Sequence, residues 1–367
     1  MHAIVHIGAP KAGSSAIQGT IHRDRAAIAR QGIYPFLPST GPLDRALSAR
    51  FRPDQTRLKP DMRMKFDDAA SMQAWSRRCW EELEATLRAE RPDYALLSSE
   101  HFFNLLRPGE LLDALGALFS KITLILYVRD PVAHYVSQTD QQIRGGVRLR
   151  DLGTPASFAY YPAARLEDYL AAVGRENMVV RNVDRANLEG GDVIADLFEQ
   201  VARITGRRVD WTASPRRANE SLCGAASAWV LGTNETFERF GSGDKEAIAR
   251  RQELFQRLRA SEALTGLPKL KITEPDLAAL IRHNAREKAE WLNATFLEGQ
   301  VPLETADAPA KIPDEDALRV RMRDWILGYL TPEHLELVMR EVIPLTGPRP
   351  VPKKKLKKGR APAKSGR

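Results

Sequence analysis

The stretch Ala3-Ile-Val-His-Ile-Gly-Ala-Pro-Lys-Ala-Gly-Ser-Ser-Ala-Ile-Gln18 runs from an apolar segment through a tight Gly-Pro turn into a sequence that suits a helix. The unpaired N–H groups of a helix's first turn point outward together and carry the positive end of the macrodipole. The turn from Gly8 to Ser15 is therefore read as an anion cradle, to which Lys11 adds a full positive charge. A nucleoside-triphosphate loop asks for Gly-x-x-x-x-Gly-Lys followed by Ser or Thr. Here Gly8-Ala-Pro-Lys-Ala-Gly13 puts the lysine inside the loop, and Ser14 stands where the lysine should be. No strand ends in an acidic cluster suited to magnesium, so a kinase or ATPase is disfavoured.

A second strand exit reads Ile122-Thr-Leu-Ile-Leu-Tyr-Val-Arg129-Asp-Pro-Val-Ala-His-Tyr-Val-Ser137. The apolar and β-branched run suits a strand buried on both faces of a parallel sheet. Asp130 and Pro131 make a good N-cap and first helical position. Arg129 is then presented at the carboxyl edge of the sheet, where α/β folds bind ligands and where a guanidinium can grip a phosphate with two parallel hydrogen bonds.

Taken together, His6-Ile-Gly-Ala-Pro-Lys-Ala-Gly-Ser-Ser15 and the Arg129 to Ser137 segment resemble the two nucleotide-binding signatures of sulfotransferases that use 3′-phosphoadenosine 5′-phosphosulfate (PAPS). Leu96-Leu-Ser-Ser-Glu100, Arg165-Leu-Glu-Asp-Tyr-Leu170, Glu176-Asn-Met-Val-Val-Arg181, Leu188-Glu-Gly-Gly-Asp192 and Arg217-Ala-Asn-Glu-Ser-Leu222 are similar to a bacterial branch of that family. The resemblance implies a parallel central sheet flanked by helices in a P-loop-like sulfotransferase fold. It places the 5′-phosphosulfate against Lys11, Ala12, Gly13, Ser14, Ser15 and Ala16, and the 3′-phosphate against Arg129 and Ser137. It also suggests a nucleotide-side loop at Arg217. It implies no metal, and a carbohydrate or glycolipid as acceptor. The loop departs from the family in having Ala12, Ser14 and Ser15 where threonines are common, which bears on affinity more than on the identity of the nucleotide.

In the chemistry so implied, an acceptor hydroxyl or amine attacks sulfur in line and 3′-phosphoadenosine 5′-phosphate (PAP) leaves. By analogy with phosphoryl transfer the transition state is loose, with charge growing on the bridging oxygen, where Lys11 and the loop amides would neutralise it. Two adjacent residues at a strand end, Glu100 and His101, are candidate bases. Glu100 is favoured because Ser-Ser-Glu is the pattern of the bacterial branch. His134 and Gln141 are read as packing or helix-surface residues, and His6 as a core histidine.

The chain has 367 residues, 43% of them hydrophobic, enough for a large core. The net charge of +8 is local. Residues 349–367 hold nine Lys or Arg and no acid, leaving the rest nearly neutral, so no nucleic-acid-binding face is indicated. That tail mixes prolines with like charges and is expected to be disordered, either as a solubilising extension or as an electrostatic attachment to anionic lipid, nucleic acid or an acidic polysaccharide acceptor. Only Cys79 and Cys223 are present, and no signal peptide or membrane span is evident, so a cytoplasmic protein with reduced thiols is expected.

Strands are predicted at 3–8, 94–98, 122–128 and 178–181, and helices at 15–30, 71–91, 131–143, 162–173 and 192–205. This alternation means parallel strands covered by helices. Residues 41–65, rich in Pro, Arg and Asp, read as a surface excursion and an acceptor lid. Further helices at 225–240, 244–260, 276–296, 314–330 and 332–342 would form a cap. The expected organisation is one domain over 1–348, with an α/β core to 210 and a helical part over 225–345. The rival readings are a kinase-like enzyme and a noncatalytic polyanion-binding protein on the same fold.

Overall fold

The structure is a computed structural model and describes residues 1–9, 12–41, 45–52, 60–212, 221–236 and 245–346. Five parallel strands form one sheet: β1 (His2–Ile7), β2 (Ile33–Pro35), β3 (Tyr94–Ser99), β4 (Lys121–Val128) and β5 (Met178–Asn182), in the order β2-β3-β1-β4-β5. β1 lies at the centre, with Ile7 opposite Ser99 of β3 on one side and Leu126 of β4 on the other. Consecutive residues of β1 and β4 are buried, so both faces of the sheet are covered.

The helices of the α/β half are α1 (Ser14–Arg23), α2 (Arg25–Arg30), α3 (Pro60–Arg63), α4 (Ala69–Glu90), α5 (Pro108–Gly116), α6 (Pro131–Arg144), α7 (Pro162–Val173) and α8 (Val193–Thr205). The helix predicted over 15–30 is two helices. Asp24 breaks it, because its carboxylate accepts from the Thr212 N–H (2.8 Å) and pairs with Arg23 (3.1 Å). Short β2 escaped the sequence reading because it ends in Pro35, a residue suited to an edge strand. α5 escaped it too, although Pro108 opens it and Leu111, Leu112 and Leu115 bury its inner face.

The excursion over 41–65 is corrected in part. Residues 42–44 and 53–59 lie outside the described residues, but the segment between them turns inward. Ala46, Leu47, Ala49 and Phe51 are buried. Trp80 Nε1 donates to the Leu47 carbonyl at 2.9 Å, Ser76 Oγ to the Ala46 carbonyl at 2.6 Å, and Phe51 meets the Trp80 ring edge-on. A segment stapled to α4 by two carbonyl bonds and an aromatic pair is a buttress, not a lid.

The second half is helical: α9 (Gly224–Thr236), α10 (Lys245–Ala260), α11 (Glu262–Thr265), α12 (Pro275–Phe296), α13 (Glu315–Leu327) and α14 (Pro332–Thr346). α9 packs on α6, α13 and α14 pack on α9, and α12 packs on α6, α7 and β5. Leu277, Leu280 and Ile281 belong to the same buried cluster as Ile4 and Val5 of β1. The chain after α12 also closes the outer edge of β5. The Asn182 N–H donates to Gln300 Oε1 at 3.0 Å, Gln300 Nε2 donates to the Val180 carbonyl at 3.2 Å, and Asn182 Nδ2 donates to the Val301 carbonyl at 2.9 Å. Among the described residues no helix is long and apolar enough to cross a membrane.

Candidate active site

Two strand exits meet at the carboxyl edge of the sheet, side by side because β1 and β4 are neighbours. The first is the turn from β1 into α1. Gly8 donates its N–H to the Ser99 carbonyl at 3.1 Å, which ties the start of the loop to the end of β3. A Cβ on Gly8 would fall 2.5 Å from Ser14 Oγ and 2.9 Å from Glu100 Cα, so only glycine lets loop, helix and β3 converge here. Gly13 turns the chain into α1 with φ +89°, and a Cβ there would lie 2.7 Å from Val193 Cγ1. The glycine spacing read from the sequence thus has two separate steric causes.

Amide accounting divides the loop. The Ala12 N–H donates to the Ala9 carbonyl at 3.3 Å, and the Ala16 N–H to the Gly13 carbonyl at 2.9 Å. Ala12 and Ala16, both expected to bind nucleotide, therefore have their amides engaged within the loop. Ser14 is also redirected: its buried hydroxyl donates to the Ala9 carbonyl at 3.2 Å and closes the turn. The N–H groups of Gly13, Ser14 and Ser15 have no partner among the described residues, and neither has the Ser15 hydroxyl. Three successive amides at the head of a helix are an anion site in the physical sense. Lys11 lies outside the described residues, as do Arg216, Arg217, Asn219 and the tail over 349–367.

The second exit is the turn from β4 into α6. Asp130 caps the helix as predicted, accepting from the Ala133 N–H at 3.0 Å, with Pro131 at the first helical position. Arg129 is half-buried, and that burial lowers its pKa while neighbouring Asp130 opposes the shift. The Tyr160 hydroxyl donates to the Arg129 carbonyl at 2.7 Å and fixes the backbone there. Asp130 Oδ2 is buried without a hydrogen bond, and burial raises the pKa of that carboxyl. Ser137 stands further along α6, 7% exposed, its hydroxyl unpartnered among the described residues. One turn therefore offers backbone donors, and its neighbour offers a guanidinium and a hydroxyl.

His134 lies behind Arg129, its ring 5.5 Å from Tyr160 and 5.2 Å from Tyr161. Burial, with the Arg129 charge second, pulls its pKa down to about 4, so it is a neutral packing residue at pH 7. His6 of β1 accepts or donates through Nδ1 to Ser98 Oγ at 2.8 Å, while burial lowers its pKa to about 3. It is the core histidine expected, though its Nε2 is buried without a partner.

Glu100 begins the turn Glu100–Phe102 directly after β3. Its backbone lies against Gly8, and its side chain is half-buried, whereas His101 is 8% exposed. The site also holds groups the sequence reading passed over. Tyr160 and Tyr161 wrap α6 from the loop before α7, and Arg282 of α12 approaches Asp130 closely enough to favour its ionised form. The run Ala159-Tyr-Tyr-Pro162, two adjacent aromatics before a helix-opening proline, was the only local signal for the first of these. Among the described residues no group of three or more His, Cys, Asp or Glu is placed to hold a metal ion.

A central parallel strand, a glycine-bounded anion loop and a following helix, with the winding reversing around β1, decide the fold type. The fold is P-loop-like. No protein-family model matches the chain, and no curated protein matches it. Among solved structures the chain is similar to a sulfotransferase from Alicyclobacillus acidocaldarius, with a TM-score of 0.36 and 16% identity, covering 63% of this chain and 91% of that one. It is also similar to the sulfotransferase domain from the curacin biosynthetic pathway, with a TM-score of 0.35 and 13% identity, covering 79% of this chain and 96% of that one.

Proposed function

We propose that the protein is a PAPS-dependent sulfotransferase. The observation that carries this reading is the pairing of two anion-facing turns on adjacent strands, one made of the Gly13, Ser14 and Ser15 amides and the other of Arg129 and Ser137. A nucleotide with phosphate groups at both its 5′ and 3′ positions needs two such places, whereas ATP needs one. The cradle suits a phosphate: the Gly13, Ser14 and Ser15 amides stand at the head of α1, in a turn that Gly8 and Gly13 allow to pack tightly against Glu100 and Val193.

In this reading the amides and Lys11 hold the 5′-phosphosulfate, and Arg129 and Ser137 hold the 3′-phosphate. An acceptor hydroxyl attacks sulfur, the new S–O bond forms as the bond to the 5′-phosphate oxygen breaks, and the acceptor's proton passes to Glu100. Glu100 is preferred to His101 because it lies against the loop and stays open to an acceptor, while His101 is closed off. The acceptor proposed is a carbohydrate or glycolipid. The basic tail is assigned an electrostatic role at an anionic surface, which salt would weaken.

The test is calorimetric titration with PAP and with magnesium ATP, on the wild type and on Arg129→Ala. PAP should bind in preference to ATP, and Arg129→Ala should weaken PAP by about 2 kcal/mol, the scale of a lost charge-assisted hydrogen bond. Preference for ATP, or PAP binding indifferent to Arg129, would return the chain to a kinase-like or purely anion-binding role.

A further inference from the structure

A cavity of about 210 Å³ lies between α6 and the loop before α7, lined by Tyr135, Gln138, Gln142, Ser157, Phe158 and Tyr161 among others. Its lining carries no formal charge. On one side Tyr135 and Phe158 meet edge-on with ring centroids 5.4 Å apart, which gives a rigid apolar wall. Gln138 and Gln142 are one helical turn apart on α6 and share a face. Both are half-buried, and neither side-chain amide has a hydrogen-bond partner among the described residues. Two amides on the wall of a cavity can each donate to and accept from a ligand's polar groups.

Tyr161 belongs both to this lining and to the surroundings of the candidate site. That ring packs 5.2 Å from His134 and 5.9 Å from Phe103, and its hydroxyl has no hydrogen-bond partner among the described residues. Burial, and then the charge of Glu100, push the Tyr161 hydroxyl up to about 12, so it is a protonated donor at neutral pH. Glu100 in turn lies against Gly8 of the anion loop. Loop, Glu100, Tyr161 and cavity therefore follow one another in space.

The geometry points to this cavity as the acceptor subsite for a single neutral sugar ring, held by the Gln138 and Gln142 amides against the Tyr135–Phe158 wall and presented to Glu100 past Tyr161. This rests on the sulfotransferase reading above. A pyranose has an apolar C–H face and a rim of hydroxyls, matching a wall of rings beside a pair of amides. At about 210 Å³ the space is smaller than the roughly 300 Å³ at which drug-sized pockets begin, so it takes one ring and excludes a fused polycycle. An uncharged lining disfavours a cationic amine, whose desolvation nothing here would offset.

Two variants test this. Ala159→Trp adds bulk at an exposed lining position, and Gln138→Ala with Gln142→Ala removes both amides. Binding of methyl glycosides is read by saturation-transfer NMR in the presence of PAP, PAP affinity by calorimetry, and sulfate transfer with p-nitrophenyl glycosides. The wild type should bind a glycoside, Ala159→Trp should lose it, and the double glutamine variant should weaken it at least about tenfold, as two lost hydrogen bonds imply. PAP affinity should stay unchanged in both variants. Glycoside binding that survives Ala159→Trp, or amine and phenol acceptors used in place of glycosides, overturns the subsite while leaving the nucleotide reading intact. A wild type that fails to bind PAP sinks the sulfotransferase reading first, and the subsite with it.

Discussion

The turn from β1 into α1 and the turn from β4 into α6 leave neighbouring strands at one edge of the sheet, yet they are built from different material. The first is backbone: Gly8 and Gly13 let the turn pack tightly against Glu100 and Val193, Ser14 closes the loop on Ala9, and the binding groups are the Gly13, Ser14 and Ser15 amides. The second is side chain: Asp130 starts the helix, Tyr160 holds the Arg129 carbonyl, and the binding groups are a guanidinium and a hydroxyl. A site made of amides depends on the path of the chain and tolerates changes of side chain. A site made of a charged fork depends on the identity of one residue.

Lys11 is the sharpest way to break this contrast, because it is the one charged side chain in the loop sequence. Lys11→Ala should lower the rate of sulfate transfer by about two to three orders of magnitude, the scale for a lost transition-state donor. PAP affinity should change far less, since PAP lacks the sulfuryl group. Steady-state rates beside calorimetry separate the two, and an unaltered kcat would mean that the amides suffice alone.

Acid should expose what lies beneath each turn, since each has a neutral histidine under it. Burial lowers the pKa from 6.5 to about 3 for His6 and to about 4 for His134. A base whose folded pKa is depressed binds more protons when unfolded, so stability is full above about pH 6.5 and falls as pH drops toward the folded values. Each histidine should cost about 2 kcal/mol between pH 7 and pH 5, from roughly 1.4 kcal/mol per pH unit. Urea titrations at the two pH values measure the loss. His134→Gln should flatten the pH dependence by about half, and an unchanged slope would refute the assignment.

Gly13→Ala probes the backbone turn alone. It combines φ +89° with a Cβ 2.7 Å from Val193 Cγ1, and should destabilise the fold by about 1–3 kcal/mol. Adding Val193→Ala should relieve the contact but not the strained φ, so urea midpoints for the single and double variants divide the two costs. The smallest effect belongs to Asp130. Asp130→Ala should cost about 1 kcal/mol as a lost cap. Asp130→Asn should keep the Ala133 bond and, by removing a negative charge beside Arg129, bind PAP at least as tightly as the wild type.

How legible each part was in the sequence follows the same contrast. The central strands were legible because burial on both faces demands unbroken apolar runs, as in Ile122 to Val128. The cap at Asp130 was legible because Asp-Pro has one local meaning at a strand exit. The inward turn at Ala46 to Phe51 was not, because its hydrogen bonds come from Trp80 and Ser76, about thirty residues away, and polar composition concealed them. Within the anion loop the glycines were legible, but the internal use of the Ala12 and Ala16 amides was not, since composition carries no record of which N–H a neighbouring carbonyl takes. The cavity beside α6 was hidden for the same reason: Gln138 and Gln142 acquire meaning only when Phe158 and Tyr161 fold back across them.

The closure of β5 by Gln300 and Val301 bears on how copies of this protein can meet. An open strand edge is a template on which another chain can pair, and it is the usual start of ordered aggregation. Here one edge of the sheet is occupied by the chain's own later segment, and the other is the three-residue strand β2 ending in Pro35. A shortened version that stops before α12 would bare the β5 edge together with the apolar surface that α12 covers, and should self-associate. The helical half therefore shields the β5 edge as well as the core.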